Sequence, residues 1–195
     1  MTTDALVLRD LVFAAAAGTA IAAACGLRAF LPLLALALGV RFGLLHVAPA
    51  GTWIGSTPAI VTLVWATVVE LAADKVPALD HALDLVATVL RPLAAAVAAW
   101  CTFVGVHPAI AVAAAVLFGT GAMGVHVTKA KVRLGSSIVT LGAANPLISF
   151  VEDALATGLS AMAVLAPIAA LVGVGLLGWA IVHVFRARQW GGSAQ

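Results

Sequence analysis

From Leu11 to Val40 the chain carries one charged residue, Arg28. A continuous helix over those 30 residues would measure about 45 Å, against a bilayer hydrocarbon core of about 30 Å. A stretch this apolar has no polar face to turn toward water. It is therefore read as bilayer-embedded, and as too long for one straight span. Gly26 and Pro32 flank Arg28, and a proline removes a donor and clashes with the carbonyl four residues earlier. A break is expected at GLRAFLP, giving either one bent span or two half-helices that meet there. Ala14, Gly18 and Ala22 recur every four residues and form a smooth stripe suited to close helix packing in lipid.

The rest of the chain repeats the pattern. The protein has 195 residues, 64% hydrophobic and 9% charged, whereas soluble domains are roughly 25% charged. Too little polar surface is present to cover a water-soluble globule. After a Gly- and Pro-punctuated loop (Arg41 to Ser56), Ser56 and Pro58 supply an N-cap and first-turn proline for a second span, to about Asp74. A third span runs from about Ala78 to Val104 with Pro92 inside it, and His107-Pro108 opens a fourth, to about Val127. Lys129, Lys131 and Arg133 follow as a basic segment, then the small-residue stretch LGSSIVTLGAANP. A fifth span covers about Leu147 to Leu165, and Pro167 starts a sixth that ends near Phe185. The N-terminal run has signal-peptide features, but it continues apolar well past Cys25, so cleavage is not expected. Cys25 and Cys101 lie in apolar runs and read as small core fillers.

The fold class is therefore all-α, a polytopic transmembrane bundle of about six spans with broken or re-entrant segments. Residues 1–195 form a single membrane domain with halves 11–104 and 108–186 and a tail, 187–195. With six spans, Arg9, Lys75, Lys129, Lys131, Arg133, Arg186 and Arg188 fall on one side and Arg41 on the other. Positive charge accumulates on the cytoplasmic face, so both termini are expected there. Three plus three spans would also make an inverted repeat. Each half opens with a small-residue helix, followed by an irregular arginine-bearing segment (GLRAFLP; KAKVRLGSS) and a helix with Val-Glu (Val69-Glu70; Val151-Glu152).

Charge inside a bilayer is expensive, roughly 2.5–3.5 kcal/mol for a central arginine on insertion scales. Arg28 must face protein or water, either contacting a ligand beside unwound backbone or capping helix-end carbonyls. Glu70 and Asp74 share a helical face, and Asp80, Asp84 and Arg91 share another, within about 40°. Four carboxylates gathered by the turn ELAADKVPALDHALD would bind a hard cation or simply mark the membrane–water boundary. Glu152 and Asp153 lie about two turns after Asn145-Pro146, and an acid that far into a span is a candidate for ion or proton coupling. His126, Lys129 and Arg133 share a stripe, and with Lys131 they read as headgroup contacts or positive-inside anchoring. No nucleotide loop, paired-histidine metalloprotease helix, Cys-x-x-Cys or nucleophile elbow occurs, so neither enzyme chemistry, a cofactor nor a metal is expected.

The strings GLRAFLPLLALAL, ELAADKVPALDHALD, RPLAAA and NPLISFVEDALA together resemble a bacterial membrane family catalogued as domain of unknown function 4126, over about residues 14 to 170. The resemblance implies no activity. It implies that Arg28, Glu70, Asp74, Lys75, Asp80, Asp84, Arg91, Asn145, Pro146, Glu152 and Asp153 lie in the family's characteristic strings.

The function expected from these residues is transport or channel-like conduction of an ion or small solute. Arg28, Glu70, Asp74, Asp80, Asp84, Arg91, Asn145, Glu152 and Asp153 would line or gate the pathway. The alternative is lipid handling or membrane scaffolding. The expected partners are the lipid bilayer and that solute, with no nucleic acid and with a homodimer suited to so small a subunit. A closed polar cavity would mark a solute transporter and a lateral polar groove a lipid handler. Neither feature, with all buried charges paired, would mark a scaffold.

Overall fold

A computed structural model of the protein describes residues 3–47, 49–73, 77–103, 107–140 and 145–191. Among these, every regular element is helical: α1 Thr3–Leu27, α2 Phe30–Arg41, a 3-10 helix Pro49–Gly55, α3 Thr57–Ala73, α4 Pro77–Phe103, α5 Pro108–Thr140, α6 Asn145–Leu165 and α7 Pro167–Gly191.

Local chemistry places several of the boundaries. Pro32 cannot pack against a helical carbonyl at Arg28, so α1 makes its last bond from Arg28 N–H to Ala24 O (3.0 Å) and stops. Within α2 the same proline sits in the first turn, where amides have no helical partner anyway. The far end of α2 is closed by Gly43, whose φ of 70° only glycine adopts freely. Gly43 N–H donates to Val40 O (3.2 Å) and Leu44 N–H to Gly39 O (2.8 Å), a Schellman arrangement. Ser56 Oγ accepts the Ala59 amide at 3.4 Å and so caps α3, as its position before Pro58 predicts.

Packing contacts set the helix directions. At one end of α2, Ala29 and Phe30 meet Glu70 of α3. At the other, Val40 lies against Gly55, just before α3 begins. Thus α2 and α3 are antiparallel. Gly18 of α1 lies against Thr102 near the end of α4, and Gly26 against Val125 and Ala122, deep in α5. Gly51 of the 3-10 helix also touches Cys101. The start of the close-packed part of α1 and the end of α2 are therefore on the same side. The two helices form a hairpin whose tip is Arg28-Ala29. Helices α3 to α7 then alternate in direction.

Helix α1 is central and packs on α2, α4, α5, α6 and α7. Its buried face is nearly all small (Ala16, Ala17, Ala20, Ala22, Ala24, Cys25), which lets neighbouring backbones approach closely. Large apolar side chains point outward instead, among them Trp65, Val116, Leu117, Phe150 and Trp179. That inversion of the water-soluble pattern suits a hydrocarbon solvent. Among the described residues, three helices are long and apolar enough to cross a membrane: Val86–Phe103, Pro108–Lys131 and Leu147–Leu165. The 3-10 helix and α3, bent by 54° at their junction, qualify together as a fourth. The chain is a helical membrane protein.

Three expectations change. Six full spans do not emerge, because α2 has only 12 residues and covers about 18 Å, roughly half a hydrocarbon core. The stretch KAKVRLGSS is not irregular: α5 continues through it to Thr140, since Lys, Ala and Arg are good helix formers. That stretch is thus not a break to match GLRAFLP. Helix α7 likewise continues to Gly191, into the stretch expected to be a tail.

Candidate functional site

The hairpin tip gathers most of the buried charge. Arg28 is fully buried. Its guanidinium pairs with Asp153 and donates from Nη2 to Ser149 Oγ at 3.3 Å. Ser149 and Asp153 are one turn apart on α6 and present one face to it. The adjacent acid, Glu152, turns away to the Nζ of Lys129 at 2.7 Å. Adjacent helical residues point about 100° apart, so two neighbouring carboxylates serve cations on different helices.

Lys129 corrects the anchoring expectation: it is buried at 7% exposure, inside the bundle. Besides Glu152, its Nζ donates to Leu27 O at 3.4 Å, at the end of α1. A cation at a helix C-terminus complements the unsatisfied carbonyls there. At the other side of the break, the Glu70 carboxylate accepts the Ala29 amide at 2.8 Å and the Phe30 amide at 3.1 Å. It occupies the N-terminus of α2, where an anion is favoured. Both half-helix ends are thus met by a side chain of opposite sign from elsewhere in the bundle.

Arg91 of α4 is buried and contacts His126 Nδ1 on α5. Arginine has only donors, so Nδ1 accepts and the ring proton sits on Nε2, which faces Thr88 Oγ1 at 3.2 Å. Arg28 and Arg91 both lie within electrostatic reach of Lys129, so these contacts make one network. Arg28, Arg91 and Lys129 are set against Glu70, Glu152 and Asp153, and their formal charges balance.

Of the other expected site residues, Asp74 lies outside the described residues. Asp80 and Asp84 are in α4, Asn145 begins α6 and Arg133 is in α5, with no description of their side chains. Lys131 is exposed. The expected acidic cluster is accordingly represented by Glu70, which turns to the hairpin tip. Among the described residues no group of His, Cys, Asp or Glu is arranged to hold a metal. The sequence reading missed Ser149 and the pairing of His126 with Arg91. The only signal for the latter was the shared stripe of His126 and Lys129 on an otherwise apolar helix.

Two grooves lie between the helices. One, of about 510 Å³, lies between α4 and α5 against Pro92, Ala96, Trp100, Val116, Gly119 and Met123. The other, of about 400 Å³, lies under α3 against Leu33, Trp53, Ile54, Ala59, Thr62 and Val97. Neither is lined by a charged residue.

The chain belongs to the family described as a domain of unknown function (DUF4126), whose model matches residues 15–187. No curated protein and no solved structure matches it.

Proposed function

Starting from a family without an assigned activity, we propose that this membrane protein moves an ion or small solute across the bilayer, with its site at the tip of the α1–α2 hairpin. The observation that carries the reading is the charge network at a helix break: Arg28 and Asp153, Lys129 and Glu152, and Glu70 on the amides of α2. Several kcal/mol of desolvation per ion is a high cost for structure alone. Ionisable groups inside a membrane, and half-helix ends that meet charge, are the recurring marks of transport sites.

In this reading α1 and α2 form a re-entrant hairpin and α3 to α7 are the crossings, in place of six spans. Lys75, Lys131, Arg133, Arg186 and Arg188 then collect on one face and Arg9 and Arg41 on the other. The first face is the cytoplasmic one, with the C-terminus there and the N-terminus opposite. The inverted repeat is not carried into this reading, because KAKVRLGSS, the segment matched to GLRAFLP, is helical. The membrane is taken to be a bacterial cytoplasmic membrane.

A second reading is favoured by the two uncharged grooves, which suit acyl chains: the protein would bind or flip lipid.

Flux in proteoliposomes decides between them. Anions, cations, protons and labelled lipids are offered to the wild type, Arg28→Ala and Glu152→Gln. Solute flux falling at least about tenfold in folded variants is expected, the loss that about 1.4 kcal/mol produces. Full solute flux in both variants removes the assignment, and lipid flux alone transfers it to the second reading.

A further inference from the structure

Glu70 differs from the other acids of the network. Glu152 and Asp153 each face a cation. Glu70 is buried like Glu152, at 9% exposure, yet its partners are two backbone amides, and no basic side chain among the described residues lies within ion-pair distance. Among the described residues, titratable groups around it are few. From the hairpin come Arg28, turned to Asp153 and Ser149, and the buried Cys25 thiol, within electrostatic reach. From α4 come Arg91, engaged with His126, and Asp80, His81 and Asp84, with undescribed side chains. The 3-10 helix carries no titratable residue.

Thr67 adds a second, independent sign. It lies one turn before Glu70 on the same face of α3, is buried at 7% exposure, and its Oγ1 has no hydrogen-bond partner among the described residues. Other helical threonines here return their hydroxyl to the carbonyl four residues earlier: Thr19 at 2.8 Å, Thr102 at 2.7 Å, Thr120 at 2.7 Å and Thr128 at 2.9 Å. An open hydroxyl in a low-dielectric interior calls for a partner such as water or a mobile proton.

Helix α3 is also lightly held. Its buried residues, Thr67, Glu70 and Ala73, are confined to its last two turns. At its start is the 54° junction with the 3-10 helix, and beneath it runs the 400 Å³ groove.

We propose that Glu70 is a proton-binding latch, whose protonation frees the end of α3 from the α1–α2 tip. This deepens the transport reading, on which its role as a gate rests, and names the proton as the coupling ion. The ionised carboxylate accepts both amides and complements the N-terminal dipole of α2. A proton on one oxygen turns that atom into a donor, removes one of the two amide bonds and cancels the charge that the helix end attracts. The new O–H has a hydroxyl, Thr67 Oγ1, on its own face of the helix. The proton comes from solvent and returns to it, so no other reactant is needed. The latched form belongs to high pH and the released form to low pH.

The test uses full-length protein in lipid nanodiscs, with spin labels on Val69→Cys of α3 and Val89→Cys of α4, both exposed positions. Cys25 and Cys101, fully buried, stay in place. Distances are measured from about pH 4 to about pH 9, a span that starts near the ordinary carboxyl value. Expected is a longer, broader distribution in acid, and Glu70→Gln locked in that distribution at every pH. A wild-type distribution that ignores pH, or a Glu70→Gln variant that still responds to it, overturns the proposal. If that variant does not fold, the wild-type titration decides alone. Proteoliposome flux separates the two claims: a titrating distance without solute flux keeps the latch and removes the transport reading, and flux without a titrating distance does the reverse.

Discussion

At the tip of the α1–α2 hairpin, side chains from three other helices bring charge to the chain: Lys129 on the Leu27 carbonyl, Glu70 on the Ala29 and Phe30 amides, and Asp153 on the Arg28 guanidinium. At its open end the contacts described involve no charged side chain. Gly18 sits where a Cβ would come within 2.8 Å of Thr102, Gly51 where one would come within 2.6 Å of the Cys101 carbonyl oxygen, and Gly55 within 2.9 Å of Val40. One end is held by groups that cost free energy to desolvate, the other by removing side chains so that dispersion contacts form between backbones. The open end resembles ordinary membrane packing, for which small residues suffice. The tip uses a costlier chemistry where a cheaper one was available, and that contrast is the reason to place function there.

If the contrast is real, the largest stability effects come from splitting a buried pair. Lys129→Met removes the cation 2.7 Å from the buried Glu152 carboxylate, and Glu152→Leu removes that carboxylate from Lys129. Each single change is expected to lower stability by about 3–5 kcal/mol, read as unfolding in nanodiscs. The double variant should recover to about the wild-type level, because an apolar pair carries no desolvation cost. Single changes that each cost nothing would mean that water reaches these groups, which would erase the distinction between the two ends.

How much of this could be read from the sequence depends on where each cause resides. The break at GLRAFLP was legible because its cause is local: the ring of Pro32 excludes the carbonyl of Arg28 from a helix. The Ser56 cap was legible for the same reason. Whether two half-helices continue or fold back is not a local matter. It is decided by contacts such as Glu70 with Ala29 and Gly55 with Val40, between residues far apart in the chain. Lys129 was misplaced because it ends a long apolar run, where a lysine usually snorkels to the surface. Its burial depends on Glu152 from another helix. Glu70 was recognised as a candidate, but its partners are backbone amides, which leave no mark in a sequence.

The open end predicts smaller effects. Gly51→Ala places a methyl 2.6 Å from the Cys101 oxygen and 3.0 Å from its Cα. These are backbone atoms and cannot rotate away, so the 3-10 helix must shift, at about 1–3 kcal/mol. Gly18→Ala meets only the side chain of Thr102 and should cost less, since a rotamer change relieves it. Equal losses from the two, measured by thermal unfolding, would show that the end relaxes as a unit and that close backbone contact is not what holds it.

The smallest effect is expected where a glycine touches nothing. Gly124 of α5 is exposed, with no atom within 4 Å of a Cβ built on it. Alanine there removes backbone freedom from the unfolded chain and strengthens the helix, so a gain of about 0.5–1 kcal/mol is expected. Val125, its neighbour, is pressed against Gly26 at the hairpin, so the two positions sample different faces of one turn, about 100° apart. A loss at Gly124→Ala would therefore be informative: it would mean that a second copy or another protein packs on the outer face of α5. Small residues would then serve association there as they serve the hairpin inside. A gain confined to Gly124→Ala, with Gly26→Ala destabilising, would confirm that close packing ends at the inner face of α5.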